Sequence, residues 1–235
     1  EAFVKKNQGV QVSVTGGGSG TGIAALLNGT TDVCASSRDM QQKEKDQAKE
    51  KNINPVEKVI AFDGIAIVVH PENPIKDITM EQLKKIYTGA YKNWKELGGP
   101  DQPITTLSRE SNSGTYVFFQ EHVLGKENYA PTVKLMPASS SIVQSVSADK
   151  WSIGYVGLGY TKEGNIKVVP VKKDDSSPAV TPTHETVLDK SYGIARPLFL
   201  YFNGEPANNN KLLLDFAMSP EGQKIVEETG YITLK

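Results

Sequence analysis

The chain has 235 residues, 38% of them hydrophobic, with 26 basic and 27 acidic side chains for a net charge of −1. That is enough apolar material for one large or two modest domains and too much for a disordered chain, and the charge balance offers no global field to nucleic acid or an anionic membrane. The single cysteine excludes an internal disulfide framework and a cysteine-based zinc cluster, and the longest strongly apolar run, 65–69, is far too short to span a bilayer.

In chain order, residues 1–6 read as the last turns of an amphipathic helix, so the sequence is expected to begin inside an element. Residues 10–15 are β-like and run into Gly16-Gly17-Gly18-Ser19-Gly20-Thr21-Gly22, which opens a short helix over 23–27 stopped at Asn28-Gly29. A second strand covers 32–35, with Cys34 as a small buried strand residue, and the charged run 41–51 predicts a solvated helix. Two β-branched apolar runs, 59–62 and 65–69, end at His70-Pro71-Glu72-Asn73-Pro74, which reads as a domain crossing. Thr79 caps a helix over Met80–Tyr87 that Gly89 ends.

Beyond it, 104–107 is a strand, 114–122 and 141–147 are helices, and 153–156 and 166–171 are strands. Residues 174–182 form a loop, 192–195 and 199–202 strands, and 210–218 and 221–228 helices around Pro220. The alternation, without internal repeat, predicts an α/β protein with mainly parallel strands and a ligand at their carboxyl ends.

Two elements carry chemistry. The glycine run 16–22, and Ser111-Asn112-Ser113-Gly114-Thr115 behind Arg109, each follow a β-like run and open a helix. Each therefore presents unpaired backbone N–H groups and hydroxyls where the helix dipole is positive, so each suits an anion. Arg109 adds a planar fork that can give two bonds to one oxyanion, or it pairs at the surface with Glu110. Gly20-Thr21-Gly22-Ile23-Ala24-Ala25 also fits a dinucleotide fingerprint, yet three further glycines separate it from the strand, where a Rossmann turn is tight. No Lys-Ser or Lys-Thr follows for a Walker A loop, and the remaining reading is a connecting loop. His70, His122 and His184 are scattered without ligand spacing, and Ser19 misses the nucleophile-elbow pattern, so no metal, cofactor or catalytic residue is indicated. The aromatics Trp94, Trp151, Tyr155, Tyr160, Tyr192 and Tyr201 are not interleaved with basic clusters and read as packing residues, not base-stacking ones.

Taken in order, 16–23, 32–38, Phe62-Asp63-Gly64-Ile65-Ala66-Ile67-Val68-Val69, Asn93-Trp94, 109–115, Ile153-Gly154-Tyr155-Val156-Gly157 and 192–198 resemble the phosphate-binding proteins of phosphate ABC importers over nearly the whole chain. The resemblance implies an α/β, two-lobed periplasmic-binding-protein-like fold of type II that closes on phosphate at a hinge. Lobe one would be 1–69 with 164–235, and lobe two 70–163. It implies ligand roles for Ser19, Arg109, Ser113, Gly114 and Thr115, with Gly18, Gly20 and Arg38 beside them. Where some members place an aspartate that accepts the phosphate's proton, this chain has Ser37, so that role passes to Ser37 or to Asp39, Asp63 or Glu110.

By the same likeness the protein is a monomeric, extracytoplasmic receptor without a cofactor. It would deliver inorganic phosphate to ABC-transporter permease subunits, with any lipid anchor upstream of residue 1. A sulfate or molybdate receptor is the alternative of the same class. An enzyme on phosphorylated substrates is the alternative of another class, and a sensory or adhesive protein on the same fold a further one. The family also begins with a strand and a Ser/Thr-bearing loop that this sequence lacks. That strand is expected to come from residues outside the sequence or from another chain, or else lobe one is distorted.

Overall fold

A computed structural model describes residues 1–234. The elements in order are α1 (Ala2–Lys6), α2 (Ser19–Leu27), β1 (Val33–Ser36), α3 (Gln42–Glu50), β2 (Pro55–Val69), β3 (Ile78–Thr79), α4 (Met80–Tyr87), β4 (Thr105–Arg109) and α5 (Gly114–His122). They continue with β5 (Lys134–Met136), α6 (Ser139–Ala148), β6 (Ser152–Gly157), β7 (Lys167–Val169), β8 (Val171–Lys172), α7 (His184–Leu188), β9 (Ala195–Asn203), α8 (Asn208–Met218) and α9 (Pro220–Glu228).

The sheet order is β1-β9-β2-β6-β4-β5, with β7 also on β2. The two apolar runs expected around residue 60 are one continuous strand, because the ladder to β9 carries on through Asp63 and Gly64. Residues 55–64 of β2 pair antiparallel with β9 up to Gly64 opposite Ala195, and from Ile65 opposite Gly157 the same strand pairs antiparallel with β6. One strand thus leaves the first set of neighbours for the second between Gly64 and Ile65. Beside it the chain returns at 194–195, where the Ile65 amide donates to the Ile194 carbonyl at 2.8 Å.

The sheet is mixed, not mainly parallel as the alternation suggested. The pairings of β1 with β9 and of β2 with β6, β7 and β9 are antiparallel, and those of β4 with β5 and β6 and of β3 with β8 are parallel. The reason is topological: an outgoing and a returning strand lying side by side must run in opposite directions.

Both faces of 65–69 are covered, which is why the run reads as unbroken hydrophobicity. With side chains alternating along the strand, Ile65, Ile67 and Val69 meet Tyr87, Trp94, Phe119 and Tyr155, while Ala66 and Val68 meet Leu107, Ile142, Val146 and Val156. Each such Ile or Val contributes about 1.5–3 kcal/mol of hydrophobic stabilisation. The other half has its own core, in which Ile23, Leu26 and Leu27 of α2 and Ala48 of α3 cover Cys34, Phe199 and Tyr201. Burial pushes the Cys34 thiol up to about 11, in keeping with an inert packing residue.

Several segments differ from their sequence reading. Residues 10–15 form no strand: no neighbouring strand lies alongside to give a ladder, and Val12 and Val14 are exposed. α3 is not wholly solvated, since Glu44 turns inward to grip Arg38. The turn at 70–74 sits on the second set of strands, where buried Asn73 donates to the Lys150 carbonyl at 3.0 Å and Lys167 Nζ donates to the Asn73 and Ile75 carbonyls. Residues 167–194 join that set too. β7 pairs with 67–69, β8 with β3, and the Tyr192 hydroxyl donates to the Ile65 carbonyl at 2.6 Å.

Candidate functional site

A cavity of about 340 Å³ lies between the two sets of strands. α2 starts behind the glycine run, α5 follows the parallel strand β4, and α6 follows β5, so the N-termini of all three helices reach its wall through Ser19, Gly114 and Ser139. The amides of these three first residues have no acceptor within the described protein. Their partial positive charges converge on one volume, the arrangement that favours an anion.

The close approach explains two glycines. A β-carbon on Gly114 would overlap the Ser19 and Ser37 hydroxyls, and one on Gly18 would overlap the Asn112 carbonyl. The Gly20 amide donates to that carbonyl at 3.1 Å, and Gln41 Nε2 donates to Glu121 Oε1 at 3.2 Å further out. The two walls are therefore in contact.

Hydroxyl directions follow from what each oxygen already accepts. Ser19 Oγ accepts from the Ser37 amide at 3.1 Å, and Ser139 Oγ accepts from Arg109 Nη1 at 3.0 Å. The Ser139 hydrogen is free to donate into the cavity, and that of Ser19 can point either there or to Ser37 Oγ. The Ser37 hydroxyl lies 3.3 Å from Ser19 Oγ and can accept or donate. Ser113 caps α5 by accepting from the Thr115 amide at 3.2 Å. Thr115 Oγ1 accepts from Arg196 Nη2 at 2.9 Å.

Arg109 is held at the wall by the Met136 carbonyl at 3.3 Å, the Pro137 carbonyl at 2.9 Å and Ser139. These acceptors fix the guanidinium without neutralising it. Among the described residues no carboxylate pairs with it, Glu110 included. By contrast, Arg196 donates to Asp63 Oδ2 at 3.0 Å, and the Leu158 amide donates to Asp63 Oδ1 at 3.1 Å. Burial pushes the Asp63 carboxyl up, against the pull of Arg196 and the Leu158 amide. The Tyr231 phenol on the same wall is pushed up to about 12 by burial and stays neutral. Asp63 offsets Arg196, so Arg109 leaves the cavity one positive charge.

Of the residues nominated from sequence, Gly18, Ser19, Ser37, Arg109, Ser113, Gly114 and Thr115 line this cavity together. Gly20 and Arg38 do not. The Gly20 amide is engaged with Asn112, and Arg38 forks onto Glu44 at 2.7 and 2.8 Å and onto the Asp39 carbonyl at 2.8 Å. A second cavity, of about 300 Å³ beside Trp94, brings no such set of donors together.

The domain model of the PBP superfamily matches residues 1–221. The phosphate-binding protein PstS of Staphylococcus aureus is 34% identical over 239 residues, covering 99% of this chain and 72% of its own length. That of Staphylococcus epidermidis is also 34% identical, with 73% of its length covered. The chain belongs to this family of phosphate-binding proteins.

Solved structures agree. A Clostridium perfringens protein described as a phosphate ABC transporter substrate-binding protein, solved with bound phosphate, superposes with a TM-score of 0.87 at 36% identity. The alignment covers 100% of this chain and 92% of that one. An ABC-type phosphate transport receptor from Vibrio cholerae gives 0.80 at 29% identity, covering 99% and 92%. As a PstS-like protein the chain is a solute-binding protein with the two-lobed fold, and not an enzyme.

Sequence reasoning missed Arg196 and Ser139, and named Asp63 only as one of several acceptors. A signal for the pair was present: Asp63 and Arg196 are opposite charges embedded in apolar β-runs, which stay buried only when paired. Ser139, in a run of serines, carried none.

Proposed function

We propose that this chain captures one inorganic phosphate in the cavity between its lobes and hands it to the permease subunits of an ABC importer, outside the cytoplasm. The observation that carries the reading is the convergence of the α2, α5 and α6 N-termini with an unneutralised Arg109 on one cavity. A dianion there gains a fixed guanidinium and several short hydrogen bonds in place of water. The C. perfringens relative with bound phosphate supports the same ligand.

In this reading Ser19, Ser113, Gly114 and Thr115 donate, and Arg109 supplies the counter-charge. The proton of monohydrogen phosphate falls to Ser37 or Asp63, since Asp39 and Glu110 lie off the cavity. The lobes divide where β2 and the returning chain cross: 1–64 with 195–234 form lobe one, and 65–194 lobe two. The strand exchange at Gly64–Ile65 and the packing of 167–194 on lobe two support that division. No helix among the described residues is long and apolar enough to cross a membrane. A monomer tethered through a lipid anchor upstream of residue 1 fits this delivery role.

Competition titration at neutral pH tests it. Sulfate carries no proton, so a committed acceptor should make phosphate bind at least about a hundredfold tighter, the cost of a buried polar group left unpaired. Comparable affinities would favour a general oxyanion receptor, and equal binding of a phosphate monoester would contradict a closed cleft.

A further inference from the structure

Arg196 lies on the cavity wall beside Thr115 and is joined to it through one hydroxyl. Its Nη2 donates to Asp63 Oδ2 at 3.0 Å and to Thr115 Oγ1 at 2.9 Å. The three side chains come from separate elements, Arg196 from β9, Asp63 from β2 and Thr115 from α5, so the chain of bonds crosses between the lobes. All are buried, at 4%, 1% and 7% exposure.

Two contacts hold the guanidinium, whose Nε and Nη1 have no partner among the described residues. Its carbon lies 5.4 Å from the centre of the Phe118 ring, and Phe118 is three residues after Thr115 on the same face of α5. Phe118 and Asp63 together fix the plane of Arg196 and aim Nη2 at Thr115.

A guanidinium can only donate, so Thr115 Oγ1 must accept, and the hydroxyl's own hydrogen has to point elsewhere. Among the described residues no acceptor takes it, which leaves the cavity. Unheld, the same hydroxyl could rotate and present a lone pair to an incoming oxyanion, which is repulsive. Because Asp63 neutralises Arg196, the device sets hydrogen-bond polarity without adding charge.

We propose that Arg196, held by Asp63 and Phe118, is a positioning residue that locks the Thr115 hydroxyl as a donor to the bound anion. The inference rests on the reading of this cavity as the phosphate site. It also makes Thr115 a donor only when the lobes are closed, since Arg196 reaches it across the crevice.

Calorimetric phosphate titration of a double-mutant cycle tests it. In the parent background Arg196→Lys should weaken phosphate about tenfold, the size of one hydrogen bond to a charged partner, because a compact ammonium cannot serve Asp63 and Thr115 in the same plane. In a Thr115→Val background the same change should weaken it less than about twofold. Equal losses in both backgrounds would overturn the inference, because a structural role acts whether or not the hydroxyl is present. No loss in the parent background would overturn it as well. If Arg196→Lys does not fold, Arg196→Gln, which leaves Asp63 in place, replaces it in the cycle, with the same two outcomes. A parent that fails to bind phosphate would instead defeat the site reading, and Thr115→Val binding like the parent would remove Thr115 from a site still anchored by Arg109.

Discussion

Gly114, the first residue of α5, faces Ser19, the first residue of α2, so closely that a β-carbon on Gly114 would overlap the serine hydroxyl. The two walls approach this closely because one of these two positions has no side chain.

Gly114→Ala should therefore penalise the closed state and leave the open one alone. Overpacking of this kind costs about 1–3 kcal/mol, which would appear as weaker phosphate binding with little change in melting temperature. Small-angle scattering checks the cause: phosphate should shrink the radius of gyration of the parent and shrink the variant less. Equal compaction of both would rule out the clash as the reason.

Among the described residues, Arg109 is the charged side chain on the cavity wall without a partner of opposite sign. Arg109→Ala should abolish measurable binding, a loss of about 2–5 kcal/mol for a buried anion left without its counter-charge. Arg109→Lys should also bind poorly, since an ammonium cannot satisfy the Pro137 carbonyl, Ser139 and a ligand oxygen from one plane. Titration showing the alanine variant within a few-fold of the parent would take Arg109 out of the site.

Ser19→Ala removes a hydroxyl that accepts from the Ser37 amide and can donate to the cavity. Affinity should fall by about 1–3 kcal/mol while the backbone donors of α2 stay in place. Circular dichroism should be unchanged. Affinity equal to the parent would mean that the glycine run only connects its neighbours.

Arg38 and Glu44 make a prediction about stability, not binding. Burial would raise the Glu44 carboxyl, but the Arg38 fork and the Gln41 amide outweigh it and hold the carboxyl below its usual value of 4.5. A carboxyl depressed in the folded state stabilises at pH above its unfolded value, and that contribution is lost as pH falls through the folded one. Glu44→Gln should thus cost about 1.5–3 kcal/mol near neutrality, and its deficit against the parent should shrink as pH falls below 4.5. Urea midpoints across that range decide it, and a deficit independent of pH would exclude the ion pair as its source.

Much of this was legible in the chain itself. Local rules act over a few residues, so Thr79 before Met80–Tyr87, Ser113 before α5 and the β-branched run at 65–69 announced a cap, a helix start and a buried strand. The glycine run and Arg109 with Ser113-Gly114-Thr115 announced donors that line one cavity for the same reason, since each motif carries its own. Partnership between distant segments was not written there. That 10–15 finds no neighbour and stays out of the sheet, that β2 changes partners at Gly64, and that Arg38 turns to Glu44 while Arg196 turns to Thr115 depend on which strands lie side by side. Local sequence determines which groups a segment can offer. Only the tertiary structure decided which of them meet, because a ladder or a buried ion pair gains its energy from a partner more than a hundred residues away, as Asp63 does from Arg196.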